Sequence, residues 1–276
     1  MGAGRSQSRT TCASARAGRF REMASAFSPA CVLPVAPQPA HLRQVQNYYE
    51  EMAIATMATL TTRWDPSYPF VDTKLDLSSP GGTDFQPDDP IRGRNAVYGW
   101  IQGRGLEALA GHCAWLRRRN AAAPAATSQS AEDGGWQPLQ LKLREMLSAV
   151  VATVQWMRQQ NNGRLWFFMT RSGSPFALRE GESGSSPPVP FSIELDDRPL
   201  GFADVFTAKG LFSAAVELND GATRADAVSY IQRVTEAVFA GPAGFANDQE
   251  VREPTRRWQL QRLGLPYTEP VCVCVC

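Results

Sequence analysis

One arginine lies in an apolar stretch among residue types that could bind a sugar. Arg104 has a glycine on each side, and Trp100 stands four residues before it, on the same face if the segment is helical. Gln102 lies between them. An indole packs on the apolar face of a sugar ring while a guanidinium donates to adjacent hydroxyl groups, so this group of residues could bind a carbohydrate. Glu107, three residues after Arg104, offers a simple ion pair instead, and the spacing alone favours this ion pair, because a buried arginine is normally paired.

Other residues that could support catalysis are few. The chain has two histidines, His41 and His112. The acidic pairs Asp88-Asp89 and Asp196-Asp197 fall in predicted loops, where solvated turns are the favoured interpretation. No Cys-x-x-Cys motif occurs, so the thiol-metal and redox motifs are absent. We expect no metal site and no cofactor.

Composition excludes two classes of partner. The 276 residues carry 28 Lys+Arg against 27 Asp+Glu, a net charge of +1, so no basic excess is available to neutralise a nucleic acid. No apolar run approaches the roughly 20 residues of a membrane helix.

Cys113 is predicted to be a buried free thiol in a helix, which fits a reducing compartment and favours a cytoplasmic location.

The two ends differ from the middle. Residues 1–38 are rich in Arg and Ser, with no acid before Glu22, which is typical of an organelle transit peptide. The alternative is upstream sequence read into the frame, with Met23 as the start. In both cases we expect a disordered leader. Residues 263–276 end in a Val-Cys alternation and are expected to form a frayed tail.

Between these ends, hydrophobic spacing predicts helices at about residues 41–64, 94–119, 139–160, 202–218 and 223–240. The second is apolar nearly all round, which favours burial on every side. Residues 165–170 and 191–195 are predicted to be partner strands, and residues 68–77 a short strand or an extended loop. Because strands and helices do not alternate, we expect an all-α domain of antiparallel helix pairs over residues 39–262.

The segment Tyr98-Gly-Trp-Ile-Gln-Gly-Arg-Gly-Leu-Glu-Ala-Leu resembles the second helix of the N-acylglucosamine 2-epimerase family, which contains Trp-Leu-Gln-Gly-Arg. Residues 201–215 and Asp248-Gln249, which follows a predicted helix, are also similar to that family. The resemblance covers about residues 40–250. It implies an incomplete (α/α)6 barrel, a helical toroid, with short β-hairpin-like connections.

Members of that family interconvert sugars at C2, or aldoses and ketoses, by removing and returning a proton next to a carbonyl. The resemblance implies that Arg104 is the catalytic arginine, which contacts a sugar oxygen and stabilises an enediolate-like charge. It also implies that Trp100, Gln102 and Tyr98 line the substrate pocket. The expected ligand is a small-molecule sugar, and a second copy of the chain, in a homodimer, is a candidate partner.

The chain departs from this family in its histidines. The family transfers the proton with a pair of histidines from the second half of the barrel, and neither His41 nor His112 matches one. We therefore expect a sugar 2-epimerase or aldose–ketose isomerase family member that is truncated and inactive as given. The first alternative is a non-catalytic carbohydrate-binding or scaffold protein with a half-toroid. A further alternative is an (α/α) glycoside hydrolase or lyase, which needs a pair of carboxylates.

Overall fold

The computed structural model describes residues 39–72, 75–76, 83–86, 89–122, 136–179, 189–193 and 199–246. The predicted leader at 1–38, residues 247–262 and the predicted tail at 263–276 lie outside these ranges. The chain divides into two compact units, Met1–Ala55 and Thr56–Cys276. None of the helices in the described ranges has the length and apolar character that crossing a bilayer requires.

The described chain is mostly helical, as predicted. Its helices are α1 (Pro39–Arg63), α2 (Gly99–Ala122), α3 (Gln137–Gln159), α4 (Phe202–Leu218) and α5 (Gly221–Phe239), and a 3-10 turn at Gly241–Ala243 follows α5. Helix α4 has the predicted bounds, and α1, α3 and α5 begin and end within two residues of theirs. The spacing of the apolar residues therefore predicts these four helices closely.

The strands of the described ranges are two to four residues long and form antiparallel pairs. They are β1 (Leu75–Asp76) with β2 (Thr83–Asp84), β3 (Ala96–Tyr98) with β4 (Phe168–Thr170), and β5 (Phe176–Arg179) with β6 (Val189–Ser192). The predicted pairing of residues 165–170 with 191–195 is wrong. The first of these segments pairs with β3, just before α2, and the second pairs with β5, which lies between the two segments in the sequence.

Helix α2 differs from its prediction at its start and in its burial. It begins at Gly99, whose N–H donates to the Phe167 carbonyl (3.0 Å), because the preceding residues belong to β3. The helix is not buried on every side, since Arg104, Ala108 and Gly111 are exposed. Its buried face includes Leu106, Leu109, Cys113 and Leu116. Cys113 is thus the buried free thiol that the sequence predicted.

Helices α3 and α5 show how local signals set the helix ends. The predicted apolar stripe of α3 is buried from Leu143 to Met157, and Leu139 is half-buried. Helix α3 ends at Gln159, and Asn162 and Gly163 just beyond it take positive φ angles of 54° and 74°, so the chain turns there. At the start of α5, the carboxylate of Asp220 accepts the Thr223 N–H (3.0 Å), so Asp220 caps the helix.

Two helices of the second unit, α2 and α4, run side by side in the same direction. Gly103 lies against Phe206 near their starts, Glu107 pairs with Lys209 one turn on, and Arg117 pairs with Glu217 near their ends. A Cβ added at Gly103 would lie 2.4 Å from the Phe206 carbonyl carbon. The contact between the two backbones therefore requires a residue without a side chain there.

The other two helices of this unit, α3 and α5, also run in the same direction. The Gln155 amide donates to Thr223 Oγ1 (2.9 Å), and Arg158 pairs with Asp226 (2.5 Å). The end of α2 meets the start of α3, where Asn120 donates to Gln140 (2.7 Å), so α2 and α3 are antiparallel. The second unit thus holds two helical hairpins, α2–α3 and α4–α5, arranged in parallel.

Candidate functional site

The β3–β4 pair delivers aromatic side chains to the start of α2. Tyr98 lies opposite Phe168 in the register, and their rings meet edge to face with centroids 5.2 Å apart. The Tyr98 hydroxyl donates to the Ile91 carbonyl (2.7 Å), and burial raises the pKa of this phenol. The Phe167 ring meets the Phe168 ring edge to face, with centroids 4.7 Å apart, and stacks on the Trp100 ring, with centroids 5.9 Å apart. Tyr98 is therefore connected with Trp100 through two phenylalanines.

Arg104 lies next to these aromatic rings, on the exposed side of α2. Its guanidinium carbon is 5.7 Å from the Trp100 ring centre and 5.5 Å from the ring centre of Phe206, on α4. Both separations fall within the range of cation–π attraction. The Arg104 side chain is exposed, whereas Trp100, Phe167 and Phe206 are half-buried. We call these four residues the Arg104 platform.

The ion pair of Arg104 with Glu107, which the spacing favoured, does not form, so that prediction is wrong. Glu107 instead pairs with Lys209 of α4, with Nζ 2.8 Å from Oε1. Arg104 makes no ion pair or hydrogen bond with any residue of the described ranges. Within the part of the chain that the structure describes, its donor groups are therefore available to a ligand.

Gln102, a predicted substrate contact, is engaged in the fold. Its side chain is 2% exposed, its Oε1 accepts the Val71 N–H (2.8 Å), and its Nε2 donates to the Val71 carbonyl (3.0 Å). The Gln102 amide thus forms the pair of hydrogen bonds that a neighbouring strand would form with the backbone of Val71, 31 residues earlier. Only one N–H of the amide remains after these two bonds.

A buried charge network fixes the start of α4, two residues before Phe206. Asp204 is fully buried and accepts hydrogen bonds from Arg164 (3.0 Å), from the Gly201 N–H (2.8 Å) and from the Tyr230 hydroxyl (2.5 Å). Burial, and then the Asp204 charge, raise the pKa of Tyr230 well above its ordinary value. The guanidinium of Arg164 also lies 4.2 Å from the Trp166 ring centre.

His112 is the histidine closest in sequence to Arg104. It lies eight residues further along α2, a rise of about 12 Å at 1.5 Å per residue. Burial lowers the pKa of its imidazole, so the ring is neutral at pH 7. Its place along the helix separates it from a ligand seated on the Arg104 platform.

Two cavities of the second unit lie away from the platform. One, of about 20 Å³, is lined by residues that include Arg63, Asp72 and Arg94. The other, of about 350 Å³, is an open groove lined by residues that include Phe70, Trp156 and Arg171. Neither cavity contains a platform residue. Within the described residues, no group of three or more His, Cys, Asp or Glu is placed to hold a metal.

Sequence reasoning missed two platform residues, Phe167 and Phe206. The aromatic run at residues 165–168 was a usable signal for the first, because three of its four residues are Trp or Phe. Phe206 lies within the segment 201–215 that supported the family resemblance, but nothing in the sequence placed it beside Arg104. That neighbourhood depends on the parallel contact between α2 and α4.

Comparison of the chain with protein-family models, with curated proteins and with solved structures gives no match.

Proposed function

We propose that the Arg104 platform binds a sugar. The supporting observation is an exposed guanidinium over the Trp100 and Phe206 rings with no protein partner in the described ranges. Indole and phenyl faces take up the apolar C–H face of a pyranose, and the guanidinium donates to adjacent hydroxyl groups. The indole nitrogen of Trp100 is buried, so this residue would offer its ring and not its N–H.

The proposal includes a relation to the sugar 2-epimerases and aldose–ketose isomerases. In a helical toroid of the kind expected for that family, inner helices run parallel to one another and so do outer helices. The pairing of α2 with α4 and of α3 with α5 supports this arrangement for one arc of such a ring. The platform would then lie where the two inner helices begin.

Removal of the guanidinium should weaken sugar binding. We expect Arg104→Ala to raise the Kd for mannose, N-acetylmannosamine or cellobiose about tenfold, because hydrogen bonds to a charged group contribute about 1.5–3 kcal/mol. Isothermal titration calorimetry of the full chain measures the change.

The matched control is Arg118→Ala. Arg118 is an exposed arginine on the same helix, 14 residues further along. Its replacement should leave the Kd unchanged. Equal affinities for the wild type and the Arg104→Ala variant, or no sugar binding by the wild type, would contradict the proposal.

The second candidate function is the epimerase or isomerase reaction itself, favoured by the match of Arg104 to the family motif. In heavy water that reaction transfers the C2 proton to a base and moves the C2–H electron pair into an enolate (an enediolate for mannose), and a deuteron then adds to C2. We expect no deuterium at C2 of mannose or N-acetylmannosamine, because His112 lies about 12 Å along α2 from Arg104. Proton NMR of the incubated sugar measures the exchange, and loss of the C2 proton signal would favour catalysis over binding alone.

A further inference from the structure

The charges around the Arg104 platform favour one class of sugar. Glu107, one turn from Arg104, is neutralised by Lys209 at 2.8 Å. Asp204, the acid nearest in sequence to Phe206, is fully buried and paired with Arg164. Arg104 is therefore the one platform charge that no residue of the described ranges balances.

The backbone adds to this positive charge. Trp100 is the second residue of α2, so it lies in the first turn of the helix, at the positive end of the helix dipole. The first turn of α2 contains no acidic residue. The start of α4 differs, since Asp204 lies in its first turn and accepts the Gly201 N–H.

We infer that the ligand of the Arg104 platform is an acidic sugar, one whose pyranose ring carries a carboxylate or a phosphate. This inference rests on the proposed function and specifies its substrate class. The ring lies on the aromatic surface, and the anionic group accepts the forked donors of the guanidinium, which match a carboxylate or phosphate in shape. An uncharged sugar would leave the positive charge of the site unbalanced.

Calorimetric titration of the full chain with glucose, glucuronate and glucose 6-phosphate tests this inference. We expect at least one of the two acidic sugars to bind about tenfold more tightly than glucose. The preference should shrink when NaCl is raised from 50 to 500 mM, because an exposed charge pair is screened by salt. Comparison of the two acids identifies which anionic group the site prefers.

Variants assign the preference to the guanidinium. Arg104→Gln should remove the preference for the acidic sugar, Arg104→Lys should retain part of it, and Arg118→Gln should leave it unchanged. A preference that survives in Arg104→Gln would overturn the inference. So would inorganic phosphate and acetate binding as tightly as the corresponding sugars, since the site would then recognise the anion alone.

The remaining outcomes separate the inference from the proposed function. If glucose and both acidic sugars bind equally and Arg104→Gln weakens all three, the sugar site stands and its acidic class is wrong. If none of the three binds, the proposed function itself fails.

Discussion

Replacing Asp204 with asparagine should lower the free energy of unfolding by about 3–5 kcal/mol, the usual cost of breaking a buried ion pair from one side. Asp204 is fully buried, and its carboxylate balances Arg164, whose side chain is 7% exposed. Asparagine keeps the size of the side chain but leaves the guanidinium without its counter-charge. Urea unfolding followed by far-UV circular dichroism would measure the loss as a lower midpoint.

The second arginine–aspartate pair of this region supplies the control. Arg158 pairs with Asp226, and its side chain is 6% exposed, much like that of Arg164, but the Asp226 side chain is 48% exposed. Asp226→Asn should therefore cost less than Asp204→Asn, because water reaches the Asp226 side chain, whereas the buried Asp204 carboxylate also accepts hydrogen bonds from the Gly201 N–H and the Tyr230 hydroxyl. Similar urea midpoints for Asp204→Asn and Asp226→Asn would show that the burial of Asp204 does not account for the stability that its ion pair contributes.

Tyr230 gives the same network a pH dependence. Its pKa in the folded protein lies above the value of 10.0 that it has when exposed, because of burial and then of the Asp204 charge. The stabilisation linked to this raised pKa is present below pH 10 and is lost as the pH rises towards the folded value. Stability should consequently fall more steeply above pH 10 in the wild type than in Tyr230→Phe, which has no proton to lose.

The helices could be predicted because their signals are local. The buried stripe of α3 repeats at three and four residues, and the Asn-Asn-Gly run just beyond the helix marks the point where the chain turns. The strands could not be predicted equally well. Residues 96–98 continue the apolar run of α2, and only their register with β4, some 70 residues later, makes them a strand.

The site was predictable in part for the same reason. The spacing of Trp100 and Arg104 on one helix face follows from the helical period, and their ring-to-guanidinium contact is present. The engagement of Gln102 with Val71 and the pairing of Glu107 with Lys209 depend on segments far away in the chain. Distant partners therefore decided which of the polar residues of α2 remain available to a ligand.

Gly103→Ala should destabilise the protein by about 3 kcal/mol, at the upper end of the cost of overpacking a core. An added Cβ would lie 2.4 Å from the Phe206 carbonyl carbon and 2.5 Å from the Thr207 nitrogen, so a backbone must move. Gly210→Ala should behave similarly, since its Cβ would lie 2.1 Å from the Gly103 oxygen. Urea unfolding measures both changes.

Gly111→Ala, on the same helix, should have the opposite sign. A Cβ at Gly111 meets no atom within 4 Å, so alanine should raise stability by up to about 1 kcal/mol through its helix propensity.

The close contact of Gly103 with Phe206 links stability to binding, because moving α4 away from Gly103 also moves Phe206 away from Arg104. Gly103→Ala should therefore weaken sugar binding under conditions where the variant is still folded, whereas Gly111→Ala should leave the Kd unchanged. If alanine stabilises the protein equally at both positions, the close parallel approach of α2 and α4 is wrong, and the platform loses the contact that places Phe206 beside Arg104.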